Sequence, residues 1–144
     1  DYDYAFEEEK YRGAPDIRLL EIDVARPLEI AGERIVPVSG HHSERFEMTG
    51  YRIGRMAYLT DFKTIADAEV GKLIGVELLV VNALRFRPHP SHFNVEEALA
   101  LIARVAPRRA LITHVSHEIG RHAATTALLP RGVELAYDGL EIII

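Results

Sequence analysis

The hydrophobic pattern is strongest in the second half of the chain, where two short apolar runs flank a segment with helical spacing. The run VELLVVNA at 76–83 is almost continuously apolar, which predicts a strand that is buried on both faces. The run at 110–113 predicts a second short buried strand. Between them, apolar residues recur every three or four positions, as on one face of a helix. These positions are Val95, Ala98, Leu99, Ile102 and Val105.

This predicted helix carries its own start and stop signals. Asn94 and Glu97 have the spacing of a capping box, in which each side chain hydrogen-bonds the backbone N–H of the other residue. Pro107 cannot continue a helix and ends the pattern. A helix followed by a strand of similar length returns the chain to its starting edge. We therefore expect His92 and His114, which are 22 residues apart (114 − 92), to lie at one rim.

Shorter apolar segments in the first half predict further elements. The predicted strands are 17–23, a hairpin of 28–30 and 34–38 around Ala31-Gly32, and two short strands at 51–54 and 56–60. A helix is predicted at 65–74, with Gly75 as its C-terminal cap. Residues 1–15 are polar and aromatic and have no clear period.

The end of the chain completes the pattern. A second helix is predicted at 118–129, stopped by Pro130. A terminal hairpin is predicted from 133–137 and 140–144, because the Asp-Gly pair between them is a favoured tight turn. Several strands are thus followed by the order β-α-β-α-β. This order predicts an α/β domain with a mixed sheet and helices packed on it.

The composition narrows the class of protein. The chain has 144 residues, which predicts one domain, and its 48% hydrophobic and 27% charged residues are ordinary for a globular protein. A formal net charge of −5 argues against general binding to a nucleic-acid backbone. The absence of cysteine excludes disulfides, thiolate metal ligands and a cysteine nucleophile. No apolar run approaches the roughly 20 residues of a membrane span, and the acidic N-terminus lacks the form of a signal peptide. We therefore expect a cytoplasmic protein with no membrane partner.

Candidate chemical groups fall where predicted strands end, or in the loops that follow them. They are Asp61, His92, His114 and one of the adjacent residues His41 and His42. Imidazole and carboxylate together suit zinc, manganese or iron. A carboxylate between two ions, with a histidine on each side, is a common arrangement for two-metal hydrolysis. The sequence contains no GxSxG, Walker or GxGxxG motif.

Each candidate also has a structural interpretation that spacing alone leaves open. Asp61 could cap the following helix through the amides near Lys63 or Thr64. His41 and His42 could form a solvated turn. Other polar residues have ordinary roles open to them: His89 as a loop residue, His117 as the start of the second helix, His122 as a surface or hydrogen-bonded residue, and Arg85 and Arg87 as solvated charges or phosphate ligands.

Four segments together resemble the second half of a metallo-β-lactamase-fold hydrolase. They are YLTDF (58–62), VNALRFRPHPSHFNVEEAL (81–99), LITHVSHEIG (111–120) and LAYDGLEI (135–142). Their joint order and spacing are specific, whereas each motif alone would be weak. The chain is similar to the phosphodiesterase-type members, such as the phosphoribosyl cyclic phosphodiesterase of phosphonate breakdown, and more distantly to tRNase Z. The resemblance extends from about Val36 onward.

The resemblance implies an αββα sandwich that holds two divalent metal ions, zinc or manganese. In that family the Asp of the TD motif bridges the ions, which falls on Asp61, and the first His of THxSH is a terminal ligand, which falls on His114. The His before the capped helix contacts the substrate phosphate and acts as a general acid, which falls on His92. A further ligand falls on His42, with His41 as the alternative. The second His of THxSH is expected beside the site.

One expected motif is missing. The family's HxHxDH string, which supplies most of the metal ligands, does not occur in the chain. The resemblance therefore implies that residues 1–144 are the C-terminal part of one metallo-β-lactamase-like domain. We expect the other half on a missing N-terminal segment or on a companion chain, with a homodimer as an alternative. The sheet face that normally packs on that half would then need a partner.

The resemblance also implies an activity. The intact protein is expected to be a metal-dependent hydrolase, a phosphodiesterase in which hydroxide generated between two ions attacks a small phosphodiester substrate. One alternative is a non-catalytic or partner-dependent half domain, which the missing motif motivates. Another is a nuclease of the same fold, similar to tRNase Z, which the acidic net charge disfavours.

Overall fold

The computed structural model describes residues 19–144 and, before them, Phe6, Arg12, Gly13, Pro15 and Ile17. The described residues form one mixed sheet of seven strands, whose order across the sheet is their order along the chain. The strands are β1 (Leu28–Ile30), β2 (Glu33–Ser43), β3 (Phe46–Ile53), β4 (Met56–Leu59), β5 (Leu78–Asn82), β6 (Arg109–Thr113) and β7 (Val133–Leu135). The helices are α1 (Asp67–Gly71), α2 (Val95–Val105) and α3 (His122–Thr126), with a 3₁₀ turn at His117–Ile119. The predicted α/β class with a mixed sheet is confirmed.

The first four strands pair antiparallel and are joined by tight turns. Between β1 and β2, Ala31 and Gly32 have φ angles of 53° and 82°, the left-handed values that a two-residue hairpin turn requires. Between β3 and β4, Gly54 has a φ of 55°. The hairpins predicted at 28–38 and 51–60 are therefore confirmed, although β3 begins earlier than predicted.

Strands β4 to β7 run parallel, and a helix lies in each connection between them. Parallel neighbours end at the same edge of a sheet, and ligands of open α/β sheets bind outside that edge. The segments that follow Leu59, Asn82 and Thr113 therefore come together there. Leu59 pairs with Val81, and Asn82 pairs with Thr113, so the side chains beyond these strands leave the sheet at a similar height.

Helix α2 begins with the predicted capping box. Asn94 Oδ1 accepts a hydrogen bond from the backbone N–H of Glu97 at 2.8 Å, and Glu97 Oε2 accepts one from the N–H of Asn94 at 2.9 Å. The helix ends before Ala106, whose φ is 52°, and Pro107. This helix has 11 residues. No helix in the described part of the chain is long and apolar enough to cross a membrane.

Several predicted elements differ from the structure. In the described part of 17–23 the chain forms no strand. The helix predicted at 65–74 is reduced to α1. The helix predicted at 118–129 is two short pieces, separated at Gly120, whose φ of 96° is incompatible with a helix. The predicted terminal hairpin is wrong, because β7 pairs parallel with β6 and residues 140–144 form no strand.

The two faces of the sheet are covered to different extents. The helix-covered face carries the main core, whose largest fully buried side chains include Leu59, Phe62, Leu79 and Ile112. The opposite face carries a smaller cluster, Leu78, Val80 and Leu111, against which the terminal residues Leu140 and Ile142 pack. Beside that cluster, the cross-strand neighbours Tyr51 and Tyr58 are 36% and 42% exposed. The described residues therefore cover only part of this second face.

Candidate metal centre

Four predicted site residues meet at the carboxyl edge of the parallel strands. Asp61 follows β4 and His114 follows β6, while His92 precedes α2 and His42 lies near the end of β2. His92 Nε2 and His114 Nε2 each lie 3.2 Å from Asp61 Oδ1, and the two nitrogens are 3.1 Å apart. The rings of His42 and His92 meet edge to face, with centroids 4.5 Å apart. The expectation that residues 92 and 114 share one rim is confirmed.

Asp61 and His114 have an unusual backbone conformation. Their φ angles are 63° and 56°, in the left-handed region that costs a residue other than glycine roughly 1–3 kcal/mol. Such residues persist only where the surrounding structure holds them, and they cluster at functional sites. Here the two strained residues are also neighbours in space, which favours a functional centre.

The alternative that Asp61 caps the following helix is wrong. The backbone N–H groups of Lys63 and Thr64 donate instead to the backbone carbonyl of His41, at 2.7 and 3.1 Å. Oδ2 of Asp61 accepts a hydrogen bond from the hydroxyl of Thr60 at 3.3 Å. Oδ1 faces the histidines, so the carboxylate is free of backbone amides on that side.

His41 and His42 lie within β2 rather than in the predicted loop, at an irregularity in the pairing with β3. The side chain of His41 is exposed, whereas His42 is half-buried and its Nδ1 donates to the backbone carbonyl of Asp61 at 3.0 Å. Because a carbonyl oxygen can only accept, Nδ1 of His42 carries the hydrogen. Nε2 is then left with the lone pair that a metal ion needs. This geometry favours His42 over His41 as a ligand.

The environment of His92 favours its neutral form. Burial lowers the pKa of His92 most strongly, the hydrogen bond with Asp61 acts in the opposite direction, and the nearby imidazoles lower the pKa further. A neutral imidazole offers a lone pair to a cation, whereas an imidazolium repels one. Electrostatics and geometry therefore both favour a cation at this cluster.

The donor atoms fit a divalent metal ion. His42, Asp61 and His92 each offer one ligand atom, and these atoms lie within 4.8 Å of one another. Tetrahedral zinc with bonds of about 2.0–2.1 Å places neighbouring ligand atoms roughly 3.3 Å apart. The separations of 3.1 and 3.2 Å among Asp61, His92 and His114 are close to this value. His92, predicted as a general acid, thus lies in the same group of donor atoms as the predicted ligands.

Asn82 is a functional candidate that sequence analysis missed. It is the last residue of β5 and is 0% exposed. Its Oδ1 accepts from the backbone N–H of Phe62 at 2.8 Å, and its Nδ2 donates to the carbonyl of Phe62 at 2.9 Å. The N–H of Phe93 donates to the same carbonyl at 2.8 Å. One buried amide therefore fixes the residue after Asp61 and links it to the residue after His92.

The backbone after Asn82 extends this support. The N–H of Ala83 donates to the carbonyl of Thr113, which precedes His114, at 3.1 Å. The N–H of Leu84 donates to the carbonyl of Phe93 at 2.9 Å. The segment 82–84, which we call the central support, contains no candidate ligand but contacts residues next to Asp61, His92 and His114. One signal in the sequence could have identified Asn82: it is the only polar residue near the end of an otherwise apolar run.

The remaining candidates lie around the centre. The guanidinium groups of Arg85 and Arg87 both pair with Glu118, and hydrogen bonds from Arg87 and Arg85 hold the pKa of Glu118 below its usual range. His117 is exposed on the 3₁₀ turn. Nε2 of His122 donates to a backbone carbonyl at the end of β7 at 2.9 Å, which confirms its hydrogen-bonded interpretation.

A mixed sheet with a histidine–aspartate cluster beyond its carboxyl edge is the framework of a metal-dependent hydrolase fold. The family described as the beta-lactamase superfamily domain matches residues 1–115. The chain belongs to this superfamily, and the predicted metallo-β-lactamase fold is confirmed.

Solved structures support the same fold. A diphosphatase from the PhnP family superimposes with a TM-score of 0.85 and 34% sequence identity, over 91% of this chain and 50% of that chain. YhfI, a metallo-β-lactamase-fold protein from Bacillus subtilis, matches with a TM-score of 0.69 and 16% identity, over 91% of this chain and 57% of that chain. Human tRNase Z, short form, matches with a TM-score of 0.60 and 17% identity, over 78% of this chain and 44% of that chain. The last two show the fold alone.

A curated relative carries a different name. A protein called octanoyltransferase, from Porphyromonas gingivalis, is 37% identical over 142 residues, which are 98% of this chain and 29% of that protein. The chain thus spans under a third of this curated relative and about half of the matched diphosphatase. The octanoyltransferase name describes a protein more than three times as long as the matching part.

Proposed function

We propose that the intact protein is a metal-dependent hydrolase that cleaves a small phosphodiester. The observation that carries this proposal is the convergence of three imidazoles on Asp61. The strained backbone at Asp61 and His114 supports it. The likeness to a PhnP-family diphosphatase supports a substrate that carries a phosphate group. The net charge of −5 favours a small substrate over a nucleic acid, whose phosphates attract basic surfaces.

The residues have distinct roles in this proposal. Asp61, His42 and His114 would hold the divalent ions, zinc or manganese. When bound, these ions supply an ionised water near neutral pH and neutralise charge on the phosphate. The Nδ1–H of His42 stays bonded to the Asp61 carbonyl and keeps Nε2 turned towards the centre.

His92 acts on the leaving group. As a new oxygen–phosphorus bond forms and the ester bond breaks, His92 donates the proton on Nε2 to the departing oxygen, which leaves as an alcohol. The carboxylate of Asp61, 3.2 Å from Nε2, stabilises the protonated ring against the effect of burial.

We further propose that the rest of the domain covers the exposed sheet face and supplies the remaining metal ligands. The aligned diphosphatase has about as much chain again outside the match. Tyr51 and Tyr58 lie on the face that the described residues leave partly open. In this proposal the catalytic unit is complete only when both halves are present, on one chain or on two.

Hydrolysis of bis(p-nitrophenyl) phosphate by the complete protein, loaded with zinc or manganese, tests the proposed function. We expect His92→Gln to lower kcat by about 10²–10⁴, the usual contribution of general acid catalysis. His117→Gln is the matched control, because this histidine is exposed and makes no side-chain hydrogen bond within the described residues. Equal loss in both variants, or no phosphodiester cleavage by the loaded protein, would contradict the proposal.

A further inference from the structure

Lys63 connects the segment after Asp61 with the start of helix α2, which follows His92. Its Nζ lies 2.6 Å from Oε1 of Glu97, and the two side chains are 21% and 38% exposed. The backbone N–H of Lys63 also donates to the carbonyl of His41, in β2, at 2.7 Å. Lys63 therefore joins three segments that supply residues of the candidate centre.

The capping box holds the carboxylate of Glu97 in a defined orientation. Its Oε2 accepts from the N–H of Asn94 at 2.9 Å, while Oε1 accepts from Nζ of Lys63. The positive end of the helix dipole also stabilises a carboxylate in the first turn. Because the acceptor is already oriented, the pair loses less side-chain entropy than two mobile surface side chains would lose. The ion pair can therefore restrain the backbone segments that it joins.

A backbone hydrogen bond joins the same two segments closer to the centre. The N–H of Phe93 donates to the carbonyl of Phe62 at 2.8 Å. Phe62 follows Asp61, and Phe93 follows His92. One backbone hydrogen bond leaves the segments free to pivot about it, and the ion pair adds a second point of attachment. The separation of 3.2 Å between Asp61 Oδ1 and His92 Nε2 depends on both.

We propose that Lys63 is a positioning residue, whose ion pair with Glu97 holds Asp61 in place relative to the histidines. The inference rests on the metal centre of the proposed function. Lys63 is not a ligand here, because an ammonium group has no lone pair. Its positive charge by itself disfavours a divalent ion nearby. Any gain in metal affinity from Lys63 therefore has to come from the position of the ligands.

Zinc titration of the complete protein by calorimetry separates position from charge by the sign of the change. Lys63→Met removes the ion pair and also a positive charge. We expect it to weaken zinc binding about three- to tenfold, as for residues coupled in one network, whereas an effect of charge alone would tighten binding. Glu97→Gln keeps an acceptor for the N–H of Asn94 but loses the charge. It should weaken zinc binding as well.

Two further variants make the result specific. Lys63→Arg keeps the charge and the donors, and should retain most of the zinc affinity. Lys72→Met removes a matched pair on α1, in which Nζ of Lys72 lies 2.8 Å from Oε2 of Glu69 and the side chains are 27% and 20% exposed. It should lower stability in urea unfolding without changing zinc affinity. Unchanged or tighter zinc binding in Lys63→Met would overturn the proposal, as would equal weakening in Lys72→Met.

Amide hydrogen exchange of the metal-free complete protein measures the restraint without any ion. We expect Lys63→Met to speed exchange of the buried Phe93 N–H by more than its loss of global stability accounts for, and Lys72→Met to show no such excess. No excess in Lys63→Met would overturn the positioning role. A complete protein that cleaves no phosphodiester or binds no zinc would instead overturn the proposed function. The exchange measurement would then still decide whether Lys63 restrains the two segments.

Discussion

Asp61 is the residue on which the candidate centre depends, and its backbone limits how it can be tested. Its φ of 63° is tolerated by aspartate and asparagine better than by most residues. A change to alanine would therefore mix loss of the carboxylate with added backbone strain. A change to asparagine separates the two effects.

We expect Asp61→Asn to lose metal affinity without loss of fold. The amide keeps the size and the left-handed conformation, so the Tm of the metal-free protein should change little. Loss of even an outer partner lowers metal affinity 10- to 100-fold, so removal of the carboxylate ligand should lower it at least about tenfold. Zinc titration by calorimetry on the complete protein measures this. Unchanged affinity would remove Asp61 from the proposed ligand set.

The histidines of the centre also predict a pH dependence of stability. Burial is the largest cause of the lowered pKa of both His92 and His89, so the folded state binds protons less readily than the unfolded state. Stability is then fully present above the unfolded histidine pKa of about 6.5 and declines as the pH falls below it.

Urea unfolding of the metal-free protein at about pH 7.5 and about pH 5.5 measures this difference. We expect the double variant His89→Gln, His92→Gln to lose less stability between the two pH values than the unmodified protein does. His117→Gln should lose as much as the unmodified protein, because that ring is exposed. Equal losses in all three proteins would contradict the assignment of the effect to His89 and His92.

At the scale of elements, the sequence predicted those whose signals are local. The capping box of α2 and the Ala31-Gly32 turn depend on neighbouring residues alone, and both are present. Strand β5 could also be predicted from its own residues alone. It is buried on both faces, so its sequence is continuously apolar rather than alternating.

The elements that sequence missed depend on distant contacts. β2 extends through His41 because it pairs with β3 as far as Ser43. The backbone of His41 also bridges to Thr64 beyond β4, a partner that no local pattern indicates. The Asp-Gly turn near the end of the chain forms, yet the hairpin does not, because the N–H of Ala136 donates to the carbonyl of Ile112 and β7 joins β6 instead. Parallel pairing across a crossover outweighed the local hairpin signal.

The central support predicts that a substitution at the end of β5 will weaken the metal centre. Asn82→Leu would leave the N–H of Phe62 without its partner and remove one of two donors to its carbonyl, in a fully buried place. A buried group without its partner costs roughly 1–3 kcal/mol. Because Phe62 follows Asp61, we expect lower stability and also weaker metal binding.

Thr125→Val is a suitable control for this variant. Thr125 is also buried, and its hydroxyl donates to the carbonyl of Ile119 at 2.8 Å, away from the four site residues. We expect it to cost about 1 kcal/mol of stability and to leave zinc affinity unchanged. Chemical unfolding and zinc titration of both variants measure the comparison. Weaker metal binding in both, in proportion to lost stability, would argue against a specific role for Asn82.

At the scale of the whole molecule, the family and the fold followed from motif order, whereas the completeness of the site did not. The motifs around Asp61, His92 and His114 predicted the superfamily, since their joint spacing reflects one edge of one sheet. No pattern within the chain can reveal what packs on its second face, because that depends on residues outside the match. The missing HxHxDH motif and the partly exposed tyrosines both support the proposal that further residues complete the site.

The proposed second half predicts how the 144-residue chain behaves when it is purified alone. The partly open face has Tyr51 and Tyr58 beside an apolar cluster, and exposed apolar surface of this kind promotes association. We expect the isolated chain to self-associate in sedimentation velocity and to hold fewer than two metal ions per chain. Tyr58→Lys should shift it towards the monomer. Leu128 is 74% exposed but follows α3, away from the partly open face. Leu128→Lys is therefore the control and should not change the association. A stable monomer that retains two tightly bound ions per chain would mean that these residues form a complete site, and the proposed second half would be unnecessary.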